Sequence, residues 1–570
     1  MVPDIVPPDL LAPPDARSRS FRHDDAALVL DGYLRRLAAQ EARCRVVLGR
    51  LGRVFLERRG QHLLGFARLG DYARERLGLS ARELQSLASV TERMEQLPAI
   101  RAAFERGEVS WAQVRLLVTV VVPETEEGWL ALAGGRTVRA LEAAIRELGR
   151  SETAEEDDGG PHVRFRLRCP RRFLRLWREV VDLARRMAGA ELSHGQAAEA
   201  IAAEGLSARS AGCEVWPDTA RQPELPGDVE ETFIQLERAP VAEVIPEEVE
   251  VLGLGVEELD TFALDGRMRA VVQASQRIDW QMGRLLRVFL DRRLFRVMGF
   301  PSAARYLRER LGLSERKARA LVALERRTWE APGLGEAYRA GTLSWVRALT
   351  LLPVIGEKTA SAWIARAEEV TVRRLADEVE WALVAREPFD PIAPPPPGAA
   401  LDMPDRQTCA RPDWEWPDAE IVFSAPAEVV ALLRTAILAF TRPADPLWKG
   451  LEQLLEHVKV EWEGQPRHRD PIFARDGWRC AVPACSSRRN LHDHHLIFRS
   501  RGGENAQDNR VTVCAWHHLR GIHAGRVRAW GAAPDAITWE LGVRAGREPL
   551  LRLTGDWYVG GTSGSPMPAV

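Results

Sequence analysis

The chain contains itself twice. GRLGRVFLERR (Gly49 to Arg59) returns as GRLLRVFLDRR (Gly283 to Arg293), with nine of eleven positions identical. ARERLGLS (Ala73 to Ser80) returns as LRERLGLS (Leu307 to Ser314), GEVSW (Gly107 to Trp111) as GTLSW (Gly341 to Trp345), and TVR at Thr137 as TVR at Thr371. All four pairs share one offset, 234 positions, and align without a gap. An ungapped repeat of this length requires both copies to take the same local fold.

Within each copy, apolar residues recur at three- and four-residue spacing, as in LVLDGYLRRLAAQEARCRVVLGRL, which predicts helices, and Ser80 and Ser314 stand where N-caps belong. After each copy an alternating strand runs into a helix: HVRFRLRCPRRFLRLWREVV from His162 and AEIVFSAPAEVVALLRTAI from Ala419. Pro170 and Pro426 mark the two junctions, where proline suits a first helical turn. Between the copies, Ser207 to Thr261 holds fourteen acidic residues against three arginines, the composition of a mobile acidic linker. The expected organisation is a Pro-rich tail over 1–27, helical unit A over 28–206, the acidic linker over 207–261 and helical unit B over 262–386. A Pro-rich linker over 387–417, a strand-helix appendage over 418–463, a basic module over 464–530, a hairpin over 531–558 and a tail over 559–570 follow. The fold class is mainly α, with duplicated helical bundles.

At 570 residues the chain is too long for one core. Net charge is −2, so bulk charge points to no polyanionic partner, and a lysine count of four among 79 basic residues makes arginine number alone uninformative. LLVTVVV (Leu116 to Val122) is far too short to span a membrane, and the proline- and acid-bearing N-terminus is unlike a secretory signal. A cytoplasmic protein is expected. Local charge differs from the whole: Gly464 to Trp530 carries twelve arginines and five acids, a basic island that suits phosphate.

Three of seven cysteines fall in that island, while Cys44, Cys169, Cys213 and Cys409 are scattered. Cys480 and Cys485 form a Cys-x4-Cys pair, and Cys514 and His517 a Cys-x2-His pair about thirty residues on. Two such pairs can surround one tetrahedral ion, and a Cys3His set suits a structural zinc. The alternative is three reduced packing cysteines beside a surface histidine. His492, His494, His495, His518 and His523 remain outside that set, a surplus no structural zinc needs.

The order HDHH, RSRGG, DNRVTVC, HH and H over Arg469 to Gly525 resembles the HNH endonucleases, specifically bacterial ones with a helical domain of unknown function in front. The resemblance implies a ββα-metal module that hydrolyses DNA to 5′-phosphate and 3′-hydroxyl ends. It implies His495 as general base, Asn509 as the residue that holds the hairpin and orients that base, and His494, His518 and His523 as ligands of a catalytic divalent metal: magnesium, manganese, nickel or zinc. The five-residue step from His518 to His523 is one longer than the family's usual step. Arg499 and Arg501 flank the loop and are candidates for phosphate contacts, with solvated arginines as the plain alternative. DNA is the expected partner, RNA is compatible, no membrane is expected, and a homodimer is possible because one active site nicks only one strand. Two rivals stand beside this reading: a nucleic-acid-binding protein using the module as a zinc scaffold, and an assembly platform built on the repeats.

Overall fold

In a computed structural model the described residues are 23–134, 136–149, 162–170, 173–188, 192–207, 246–385, 393–397, 401, 419–464 and 470–560. Most of the two proline-rich segments, residues 208–245 of the acidic stretch and the last ten residues lie outside them, as do Cys213 and Cys409. The main elements of unit A are α1 (His23–Glu57), α2 (Ala81–Glu95), α3 (Trp111–Leu117) and α4 (Val138–Gly149), then β1 (His162–Cys169), α5 (Phe173–Ala188) and α6 (His194–Ser207). A short α7 (Pro246–Leu252) precedes unit B, which repeats the order as α8 (Thr261–Asp291), α9 (Glu315–Glu330), α10 (Trp345–Leu351), α11 (Val372–Ala385), β2 (Ala419–Pro426), α12 (Ala427–Phe440) and α13 (Leu447–Glu463). The architecture is mainly helical with small antiparallel sheets. Among the described residues no helix is long and apolar enough to cross a membrane. The acidic stretch is not uniformly a linker: α7 packs on α1 through Val249, which is 3 % exposed.

The copies are locked by exchanged contacts. Helical periodicity gives α1 a buried stripe of Leu34, Leu37, Leu48, Leu51 and Phe55, and α8 one of Met268, Val271, Met282, Leu286 and Phe289; both enter one core. Tyr72 donates to Asp265 at 3.0 Å while Tyr306, 234 positions on, donates to Asp31 at 3.0 Å. Arg76 grips Asp265 at 2.6 Å, and Arg310 grips Asp31 at 2.8 Å. Glu75 accepts from the Val372 amide at the start of α11, and Glu309 accepts from the Val138 amide at the start of α4. Gly78 (φ 65°) leaves no room for a Cβ beside Ser344, and Gly312 (φ 67°) leaves none beside Ser110. When i touches j and j's mate touches i's mate, the interface is isologous. One chain is therefore built as a twofold pseudo-dimer.

The appendages obey the same symmetry. β1 and β2 leave their own bundles and pair antiparallel, with Phe165 opposite Phe423 and Arg166 opposite Val422. With α5, α6, α12 and α13 they form a separate core around Trp177, Ile201, Leu433 and Leu454. Side chains at the helix starts are also repeated: Ser80, Ser314, Ser110 and Ser344 all accept from the backbone amide three residues on.

Symmetry ends at residue 470. The C-terminal module has β3 (Leu491–His495) paired with β4 (Arg510–Cys514), a π-helical turn (His517–Ile522), and a four-stranded meander β5 (Val527–Ala532), β6 (Ala536–Leu541), β7 (Leu551–Thr554) and β8 (Trp557–Tyr558). The sequence suggested a simple hairpin from residue 531; the strands start at Val527, because alternation begins inside the basic island, and they number four. The meander shares the long-helix core through Trp539, Leu541 and Leu553. Its last strand inserts Tyr558, whose hydroxyl donates to Glu75, and its Asp556 pairs with Arg373 at 2.7 Å.

Candidate metal centre

The knuckle that carries Cys480 and Cys485 folds against β4: the Ala481 amide donates to Thr512 O at 2.8 Å, and Cys480 N to Ser487 O at 2.9 Å. β4 ends at Cys514, and the π-helical turn begins at His517. Cys480, Cys485, Cys514 and His517 are all buried, and their ligand atoms lie within 4.8 Å of one another, so the group can hold a metal ion. His517 Nδ1 stands 3.4 Å from Cys480 Sγ and 3.3 Å from Cys514 Sγ. Tetrahedral zinc, with its bond lengths near 2.3 Å to sulfur and 2.0 Å to nitrogen, gives an S···N edge of about 3.5 Å. The donor set and spacing fit a structural zinc.

Crowding of the thiols is visible in their protonation. Contacts with Cys480 and Cys514, with burial, push the Cys485 thiol well up, while contacts with Cys480 and Cys485 hold Cys514 well below the ordinary thiol range. A metal resolves that conflict by taking thiolates as ligands. The far nitrogen of His517 completes the arrangement: Nε2 lies 3.1 Å from the carbonyl oxygen of Gly65 in unit A, the backbone partner a metal-bound imidazole needs for its remaining N–H. From unit B, Arg373 donates to the carbonyls of Cys480 at 3.0 Å and Cys485 at 2.8 Å. The candidate metal group is thus held by both halves of the body.

The second group is His494, His518 and His523, whose ligand nitrogens also fall within 4.8 Å of one another. Strand alternation places His492 and His494 on one face of β3 and Asp493 and His495 on the other. The π-helical turn explains the five-residue step: its i→i+5 bond, His523 N to His518 O at 3.1 Å, stacks residues five apart, and the two Nε2 atoms come to 3.2 Å. An α-helical turn would have needed four. His494 is 3 % exposed; burial first, then His518, His523 and His495, lower it to about 4. Burial, His523 and His492 likewise lower His518. Neutral imidazoles are the form that ligates metal.

The other face carries a different set. His495 is half-buried, and its Nε2 lies 2.8 Å from Asn505 Oδ1, a bond that leaves Nδ1 with the free lone pair. Among the hydrogen bonds of the described residues Asn509 makes none to His495; its side chain accepts from Ile497 N at 2.7 Å and donates to Glu504 O at 2.8 Å, closing the loop. The side chain that meets His495 Nε2 is that of Asn505, an exposed loop residue with no periodicity to reveal it. Gly503 is needed in that loop, since a Cβ would lie 1.8 Å from Ile497 O. Arg499 and Arg501 occupy an exposed 3-10 turn, and Arg501 stacks on Phe498, whose ring covers His494 and His523. Asp493 pairs with Arg510. His492, to which the sequence assigned no role, has Nδ1 2.8 Å from His518 Nδ1; alternation two residues before His494 was the signal.

Comparison with family models, with curated proteins and with solved structures finds no match.

Proposed function

We propose that the chain is a metal-dependent endonuclease of HNH type, acting on DNA through its C-terminal module. The observation that carries the reading is the division of labour across β3. Three imidazoles converge on one face, and one accessible imidazole with a fixed tautomer stands on the other. His494, His518 and His523 would hold a divalent ion, which would supply charge stabilisation to a phosphate oxygen and to the departing 3′ oxygen. His495 Nδ1 takes a proton from water as its oxygen attacks phosphorus; the bond from phosphorus to O3′ breaks with its electron pair going to O3′, which takes a proton from solvent water and leaves as a hydroxyl. Asn505 keeps Nδ1 as the base by holding the proton on Nε2. Arg501, on Phe498, reaches the same loop and would meet a neighbouring phosphate. Zinc at Cys480, Cys485, Cys514 and His517 would keep the strand, loop and turn in register.

The test is cleavage of supercoiled plasmid by the full chain with magnesium, manganese or nickel, beside His495→Ala. Nicking by the wild type alone, at an unchanged zinc content of one per chain, is the expected result. A wild type that binds plasmid but cuts with none of these metals would move the reading to a zinc-stabilised binding module.

A further inference from the structure

The pseudo-dimer offers two symmetry-related seats to its one C-terminal module, and among the described residues only one is taken. At the taken seat a Cβ on Gly65 would lie 2.8 Å from Gly542 N; at Gly299, 234 positions on, it would meet nothing within 4 Å. Tyr558 and Leu551 narrow the cavity beside Glu75 and Arg347 to about 60 Å³, whereas the matching cavity beside Glu309 and Gln113 measures about 180 Å³.

Charge differs between the two seats. The occupied one meets the module with Arg68, Arg347, Arg366 and Arg373. These are balanced by Asp71, Glu75, Asp260 and Asp377. At the open seat Asp71 becomes Arg305, His62 becomes Arg296, Asp377 becomes Ala143 and Val370 becomes Arg136, while Arg373 keeps its arginine as Arg139. Arg136, Arg139, Arg296 and Arg305 are all exposed, and no carboxylate partner holds any of them among the described residues. The acid retained, Glu309, is engaged with the Val138 amide, and the two further acids lining that cavity, Glu41 and Glu108, are paired with Arg45 and Lys317 and with Arg106. The bond from the Val138 amide to Glu309 brings the start of the helix that carries Arg139 against the turn that follows Arg305.

We infer that the open seat is a phosphate-binding surface for duplex DNA, the place where the helical body holds the substrate. The inference rests on the nucleic-acid reading above but not on cleavage. Its chemistry is exposed guanidinium groups that no carboxylate pairs among the described residues, spread over an area that the other seat shows to be as wide as a folded module.

The test measures anisotropy of a fluorescent duplex of about 30 base pairs with the full chain, without added divalent metal, from about 50 to 200 mM salt. The double variant Arg139→Ala/Arg305→Ala should weaken binding on the order of ten- to a hundred-fold at about 0.1 M salt, and should lower the salt slope by about 2, at 0.9 per phosphate contact. Arg434→Ala/Arg442→Ala, an equal charge loss on exposed positions in and just after α12, should change neither. An unchanged slope in the first variant, or equal loss in both, would overturn the inference. Plasmid cutting scored separately distinguishes the two ideas. A variant that binds like wild type while the wild type cuts removes this surface alone, and a wild type that binds through these arginines but never cuts removes the nuclease alone.

Discussion

His494 sits 3 % exposed among other imidazoles, and its folded state resists protonation until about pH 4. An unfolded chain takes up this proton near 6.5. Between those values the unfolded state binds more protons, so stability falls as pH falls from about 6.5 to 4 and is fully present above 6.5. We expect metal-free protein to lose on the order of 2–3 kcal/mol across that window, and His494→Gln to lose much less, by denaturant titration at both ends. At the other centre, Cys514→Ser should release the zinc, read by metal analysis, and lower the melting temperature of the C-terminal module before that of the helical body. Not every residue role was legible beforehand. Cysteine pairing and the HDHH alternation could be read from spacing, because ligand geometry imposes it. Asn505 could not, because its contact is set by the path of an irregular loop.

At the scale of elements, the repeat announced its helices and caps but not how they pair. Local periodicity is identical whether Tyr72 meets the aspartate of its own unit or that of the other, so the exchange was invisible in sequence. The same holds for β1 and β2: each strand was readable, yet their pairing across 250 to 264 positions and the core they share were not. The five-residue step at His523 looked irregular only because an α-helical turn was assumed. The two aspartates of the exchange should differ in cost. Arg76 and Asp265 are 8 % and 2 % exposed, whereas Arg310 is 36 % exposed beside Asp31. Asp265→Ala strands a buried guanidinium and a buried phenol and should cost about 3–5 kcal/mol. Asp31→Ala leaves Arg310 able to reach water and should cost less, so the two melting temperatures should separate clearly.

The whole molecule is a dimer written into one chain. Every partner in the exchanged contacts, Asp31, Tyr72, Glu75, Arg76, Gly78, Ser110 and Val138, is present within unit A alone. We expect residues 23–207, produced by themselves, to associate into a twofold dimer in sedimentation, with β1 pairing to its own copy about Arg166. Phe165→Asp, at the centre of the shared apolar face, should leave that fragment monomeric or unfolded. The full chain has already satisfied these surfaces internally, and a further homodimer must use others.

One contact from the metal centre reaches further than its length suggests. His517 gives one nitrogen to the metal-binding group and the other to Gly65 of unit A, while Arg373 of unit B holds the carbonyls of two cysteines in the same group. Ion capture and docking then form a closed thermodynamic cycle. Whatever free energy the ion lends to the grip between module and body, the body must return as tighter retention of the ion. Severing the module from its two units should therefore make the ion easier for a chelator to remove, although all four ligands are intact.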